Sequence, residues 1–225
     1  MTLYLYAIAD GLQTVDDLRG TSGERLSVRV AEGLAVVAGE IETIPLVDHA
    51  SLKRQDELVR ELHARATAIL PMRFGAAFSS LADMERAIGL RAASLREKLQ
   101  LVTDREQMAL RALRALRASG ASGASGASGA SGISGASSAS GATYLRQRVG
   151  RQRPNELEPL LTALAPFQRA MLVERGRTPD VIATVYHLIE RGTSRAYRET
   201  VADAVKTLPD VSVHMSGPSP CYAFT

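Results

Sequence analysis

Apolar positions alternate in some stretches of the chain and recur every three to four residues in others, and the change of period marks out its elements. Residues 3–9, LYLYAIA, form a nearly unbroken apolar run ended by Asp10-Gly11, the pattern of a strand covered on both faces. Further on, Leu26, Val28 and Val30 share one face with Ser27 and Arg29 on the other, and Glu32-Gly33 turns the chain into a second apolar run at residues 34–37. This predicts a hairpin. Asp48 is placed to cap a helix in which Leu52, Val59, Leu62, Ala66 and Ile69 recur at helical spacing until Pro71 ends it. Ser80-Leu81-Ala82-Asp83 resembles a capping box ahead of an amphipathic stretch that uses Leu81, Met84, Ile88 and Leu95. Strands and helices are segregated in this half rather than alternating, so it reads as α+β.

The second half is less direct. Residues 106–117 fit two patterns: Leu110, Leu113 and Leu116 suit a helix, which propensity favours, while Met108, Leu110 and Ala112 suit an alternating strand. Residues 119–142 are a run of Ala, Ser and Gly, interrupted by Ile133, with glycine at every third position from Gly120 to Gly135. The lack of proline and the break at Ser138 exclude a collagen triple helix. A tract with so little to bury is expected to be a flexible tether spanning about 25 Å. After it comes a helical segment interrupted by Pro154 and Pro159, then two strands at 169–176 and 181–192 joined by a turn at Arg177-Thr178-Pro179-Asp180. Thr193 or Ser194 caps a helix with Tyr197, Val201, Val205 and Leu208 inward, and Pro209 stops it. Val211, Val213 and Met215 then alternate with Ser212, His214 and Ser216 as a half-buried strand. With 106–114 taken as a strand, this half acquires the order βαββαβ, the ferredoxin-like succession, with the tether between its first strand and first helix.

Composition narrows the function classes. The chain has 225 residues, 45% hydrophobic, only 4% aromatic and no Trp, so a core is expected from Leu, Val, Ile, Ala and Met. A net charge of +3, from 27 basic and 24 acidic residues, is too slight to act as a whole-molecule field for nucleic acid or membrane. The single cysteine, Cys221, excludes an intramolecular disulfide framework and a cysteine zinc cluster. The N-terminus lacks a basic leader and its apolar run is too short to span a bilayer, which leads to the expectation of a soluble cytoplasmic protein. Of the four histidines, His49, His63, His187 and His214, none forms HExxH, and the chain holds neither a Walker loop nor a GxSxG elbow. Cys221 has no evident base beside it. No catalytic grouping, metal site or cofactor is therefore expected. Arg146, Arg148, Arg151 and Arg153 form a basic cluster, but with Tyr144 as its lone stacking ring it reads best as a solvated helix face.

Four stretches in fixed order carry a resemblance: LYLYAI near the start, LPMRFG at 70–75, ATYLRQR at 142–148 and SGPSPCYAF at 216–224. Over nearly the whole chain apart from the Ala/Ser/Gly tract, the sequence resembles the gas vesicle accessory proteins of the GvpL/GvpF family. The resemblance implies an α+β protein of two lobes: an N-terminal α+β domain at 1–100 and a modified ferredoxin-like βαββαβ domain at 101–225, with 119–142 as an inserted loop and an extended C-terminal tail. That favours the strand reading of 106–114. It also implies a non-enzymatic assembly factor or minor structural component in the cytoplasm and on the gas vesicle. The implied partners are the small hydrophobic shell protein and other accessory proteins, with neither nucleic acid nor membrane among them. The motif or interface candidates are Leu70, Pro71, Arg73, Phe74, Gly75, Tyr144, Leu145, Gly217, Pro218, Pro220, Tyr222 and Phe224. The ending departs from the family pattern in having Ser219-Pro220-Cys221 before the tyrosine, where two adjacent prolines are usual, so one φ angle is left unlocked.

Elementary backbone rules give the motifs their own expectations. In LPMRFG, Pro71 starts an extended segment with Met72 and Phe74 on one side and Arg73 on the other, best read as an internal strand with Arg73 in a structural ion pair. In the tail, Pro218 and Pro220 exclude a regular strand, Gly217 permits a turn, and Tyr222 and Phe224 face the same side at a two-residue interval. A clasp on the protein's own surface is favoured over docking in a partner's groove, because exposed rings invite association. Two alternatives remain open. One is an enzyme on a ferredoxin-like scaffold, which needs a cleft gathering His187, His214, Cys221 and acidic residues. The other is a nucleic-acid-binding module on the 146–153 face.

Overall fold

The N-terminal apolar run becomes β1 (Thr2–Asp10) in the computed structural model, which describes residues 2–115 and 154–225, and every side chain from Leu3 through Ala9 is buried. Its neighbours explain why. The first sheet has the order β2 (Leu26–Ala31), β3 (Leu34–Ile41), β1, β4 (Ala68–Pro71), with the short β5 (Ala77–Phe78) also bonded to β1. All pairings are antiparallel. The two-residue turn Glu32-Gly33 has positive φ at both positions, 53° and 74°, the geometry whose twist suits a hairpin. A register shift between Leu5 and Ala7 lets Leu3, Leu5 and Ile8 serve one core while Tyr4, Tyr6 and Ala7 serve another. Because β2 is an edge strand, Val28 and Val30 stay exposed.

Helix α1 (His49–Arg65) begins where Asp48 Oδ1 accepts from the Ser51 N–H at 2.8 Å, and it buries the stripe Gln55, Leu58, Val59 and Leu62. It ends at Ala66, five residues short of Pro71. The backbone of 68–71 is taken by β1, Ile69 opposite Ala9, so Ile69 belongs to a strand, and Leu52 lies exposed. The stretch after Ser80 is two helices, α2 (Leu81–Gly89) and α3 (Ala92–Val102), with Leu95 on the second and Leu81 exposed. Ser80 caps α2 by accepting from the Asp83 N–H at 3.1 Å, while Asp83 accepts from the hydroxyls of Ser79 and Ser80 instead of closing a reciprocal box on the backbone.

The ambiguous residues of the second half form strand β6 (Arg105–Arg114). It is an inner strand of the second sheet, order β7 (Ala170–Arg175), β8 (Val181–Glu190), β6, β9 (Val211–Ser219), with every neighbour antiparallel. Two flanking ladders satisfy its backbone, and Met108, Leu110 and Ala112 point into a core closed by α4 (Glu158–Leu164) and α5 (Ser194–Val205). Tertiary pairing here overrides the helical propensity of Leu, Ala and Arg. Pro159 does not interrupt α4: it sits in the first turn, where its missing N–H has no partner to lose. Nor do the tail prolines exclude a strand. β9 is an edge strand and runs through the cis Gly217-Pro218 bond to Ser219, those two residues lying at a register shift opposite Gln107 to Ala109.

Three apolar clusters order the layers. One lies between α1 and the first sheet, and one between the second sheet and α4 with α5. The third joins the other face of the first sheet, α2 and α3 to Leu188 of β8 and to Cys221 and Phe224 of the tail, so the two sheets share a core. The Ala/Ser/Gly tract 119–142, Tyr144, Leu145 and the arginines at 146–153 lie outside the described residues. Among the described residues no helix is long and apolar enough to cross a membrane.

Candidate functional site: a groove between the two sheets

The stretch LPMRFG is divided by its hydrogen bonds. Leu70 and Pro71 are buried at the end of β4, after which the chain leaves the sheet and returns at Ala77 as β5. The excursion is bracketed by Met72 N–H to the Tyr6 carbonyl, 2.9 Å, and Leu5 N–H to the Ala76 carbonyl, 2.8 Å. Inside it, the Tyr4 hydroxyl accepts from the Gly75 N–H at 2.8 Å and donates to Gln55 Oε1 at 2.8 Å, while Gln55 Nε2 donates to the Met72 carbonyl at 3.2 Å. Phe74 meets the Tyr4 ring edge-on at 6.2 Å. Burial raises the pKa of Tyr4, with the bond from Gly75 acting against it. Residues 72–75 are thus a pinned turn, not a strand. Arg73 is exposed and makes no ion pair among the described residues, which corrects the expected structural pair. Gly75 has φ +84°, the left-handed region.

The tail is held at each step. Pro220 and Cys221 are buried, the Cys221 thiol donates to the Arg105 carbonyl at 3.6 Å, and the Ala223 N–H donates to Gln107 Oε1 at 2.8 Å. Tyr222 to Phe224 form one 3₁₀ turn. With three residues per turn, side chains two apart diverge, so the rings do not face the same side. Phe224 enters the shared core at 4% exposure, and Tyr222 turns outward to donate its hydroxyl to Asp56 Oδ1 on α1 at 2.7 Å. Both rings clasp this molecule. Burial, reinforced by the Asp56 carboxylate, raises the pKa of Tyr222, and burial pushes the Cys221 thiol up to about 12.

Turn and tail both line one groove of about 950 Å³. Arg73, Phe74 and Gly75 contribute from the turn, Tyr222 and Ala223 from the tail. The opposite walls are Ala87, Arg91 and Lys98 of the α2–α3 segment and Leu172, Glu174 and Tyr186 on the face of the second sheet turned away from α4 and α5. Burial, with Arg91 nearby, depresses the pKa of Lys98. The Tyr186 hydroxyl donates to Glu174 at 3.3 Å. Pro218 and Pro220 line a separate cavity of about 170 Å³ with Arg60, His63 and Glu106. Gly217 lies apart from the groove, against the Gln107 and Met108 backbone.

The family model for gas vesicle synthesis protein GvpL/GvpF matches residues 2–225. The chain belongs to this family. Its fold is similar to the crystal structure of the gas vesicle protein GvpF from Anabaena sp. PCC7120, at TM-score 0.70 and 15% identity, covering 99% of this chain and 95% of that one. It is equally similar to that of GvpF from Microcystis aeruginosa, at TM-score 0.71 and 13% identity, covering 99% and 98%. No curated protein matches it in sequence.

In this GvpL/GvpF protein the side chains that an enzymatic reading needs are dispersed. His187 is buried behind the second sheet, its Nδ1 2.7 Å from the Tyr197 hydroxyl; Cys221 is buried on the other side of that sheet; His214 is exposed on β9. Among the described residues no cluster of His, Cys, Asp and Glu is arranged to hold a metal. Sequence reasoning named both motifs but missed what positions them: Tyr4, Gln55 and Gln107, and the opposing wall with Arg91, Lys98, Leu172 and Tyr186. Gln55 carried a signal, since it occupies the i position of a stripe continued by Leu58, Val59 and Leu62. A polar residue in an apolar stripe needs a buried partner.

Proposed function

We propose that this protein is a non-enzymatic accessory factor of gas vesicle formation that works in the cytoplasm and binds the small hydrophobic shell protein, together with other accessory proteins, through the groove between its sheets. The observation that carries the reading is convergence. Two motifs far apart in sequence line one groove, the first through residues 70–75 and the second through Tyr222 and Ala223. In this reading Leu70 and Pro71 line the groove, Pro220 and Phe224 anchor the tail beside it, and Arg73, Phe74 and Tyr222 meet the partner. A small apolar subunit has to be shielded before it joins a wall, and a groove with aliphatic and aromatic walls supplies that cover without a cofactor. Residues 1–100 and 101–225 act as the two lobes that form its sides.

The test is co-expression with the shell protein followed by affinity capture. Retention by the unaltered chain and loss on Leu172→Arg, with an unchanged melting temperature, is the expected result. Equal retention by both proteins, or by neither, defeats the reading.

A further inference from the structure

The lining of the groove also constrains what its occupant looks like. Arg73, Arg91 and Lys98 line it, and none of the three is in an ion pair among the described residues. Among the described residues one acidic side chain lines it, Glu174, which accepts from the Tyr186 hydroxyl. The groove therefore presents an excess of positive charge beside apolar surface, three cationic side chains to one carboxylate side chain, and burial already disfavours the charged form of Lys98. An occupant that supplies carboxylates offsets that penalty, and one that supplies ammonium groups increases it.

The walls also select a secondary structure. Leu172 and Tyr186 oppose each other across the β7–β8 ladder, so the occupant meets side chains on a sheet face. The edge of the first sheet offers no continuous ladder: β4 ends in Pro71, which has no N–H, and β5 has only two residues after the excursion at 72–76. A strand would gain few backbone bonds. A helix satisfies its own backbone and needs only side-chain contacts. With a diameter of about 11 Å and a rise of about 1.5 Å per residue, about seven residues, or two turns, fill a space of this volume.

We propose that the groove receives an amphipathic helix from a partner protein, its apolar stripe against Leu172, Tyr186 and Ala87 and its carboxylates against Arg73, Arg91 and Lys98. This rests on the reading of the groove as a docking site and adds the chemistry of what docks. The partner is recognised by glutamate or aspartate flanking a leucine-rich stripe at helical spacing.

A fluorescein-labelled peptide of about 14 residues, leucine at helical spacing with flanking glutamates, tests the inference by anisotropy against the full chain. The expected result is saturable binding that weakens at least tenfold when the glutamates become glutamines. The Arg91→Glu, Lys98→Glu double variant should lose at least tenfold for the glutamate peptide and regain affinity for a lysine version. Equal binding of glutamate and glutamine peptides overturns the inference, as does equal binding of a proline-interrupted version that cannot be helical. Capture of the shell protein, measured in parallel, separates the two readings. Capture that survives the double variant overturns the acidic helix and leaves the shell-binding function standing. Peptide binding with charge-swap rescue in a chain that never captures the shell protein supports the helix and defeats that function.

Discussion

The hydroxyl of Tyr222 donates to Oδ1 of Asp56 at 2.7 Å, joining residues 166 positions apart and tying the C-terminal turn to α1. Asp56 also accepts from Arg60 Nε at 2.7 Å. Burial acts to raise the Asp56 pKa, but the bonds from Arg60 and Tyr222 outweigh it, and the net shift is downward. Such a group stabilises the fold above its unfolded pKa of about 3.9, and that contribution is lost as pH falls through the lower folded value. Tyr222→Phe should therefore cost about 1 kcal/mol in urea unfolding at neutral pH, with the difference from the unaltered chain shrinking below about pH 4. A cost that is constant across this range would show that Asp56 is not its source.

Phe224 fills the core shared by both sheets, so Phe224→Ala leaves a cavity there at a cost of about 3 kcal/mol or more. The loss should shift far-ultraviolet circular dichroism and tyrosine fluorescence transitions together. Separation of the two curves would mean that the halves unfold independently.

Gly217 and Gly75 both have positive φ, 113° and 84°, but their surroundings differ. A Cβ at Gly217 falls 2.6 Å from the Gln107 carbonyl oxygen, while one at Gly75 meets nothing within 4 Å. Gly75→Ala should cost about 1 kcal/mol from backbone conformation alone, and Gly217→Ala clearly more, because β9 must move away from β6. Equal melting temperatures for the two variants would contradict this.

His63 donates through Nε2 to the Arg105 carbonyl at 3.1 Å, and burial together with Arg191 and Arg60 holds its pKa below the usual value. The stability that comes from keeping it neutral is present above its unfolded pKa of about 6.5 and is lost as pH falls through the depressed folded value. Glu106, which lines the same small cavity, has its pKa raised by burial and acts with the opposite sign, favouring the fold at lower pH. Comparing the unaltered chain with His63→Gln cancels the Glu106 contribution. The variant should lose stability less steeply below pH 6.5.

Cys221 is buried, and with its pKa pushed up to about 12 it holds little thiolate at neutral pH. It should react with a thiol-specific disulfide reagent only on unfolding, at a rate that tracks denaturant. Rapid labelling of the native protein would show the tail detaching.

The elements that were legible beforehand are those whose burial follows a local period. β1, the Glu32-Gly33 hairpin, the Asp48 cap, the body of α5 with Tyr197 and Val201 inward, and the alternation of β9 all appear where the pattern of side chains placed them, although α5 ends at Val205, before Leu208 and Pro209, and has no side-chain cap. The elements that were misread or left open share a cause. The end of α1, the run at 106–114 and the path of Gly217-Pro218 depended on which strand lay alongside to take the backbone hydrogen bonds. Neither residue types nor spacing records that neighbour.

Taken alone, the amino-acid order determined the class of fold, the gas vesicle family and the two motifs, because periodicity and short motifs are local properties of a chain. Only the tertiary structure decided that residues 72–75 leave the sheet, that Tyr222 and Phe224 part company, and that turn and tail line one groove whose cations make no ion pair among the described residues. Those outcomes depend on contacts between residues far apart in sequence, and such contacts exist only once both sheets are packed on a shared core.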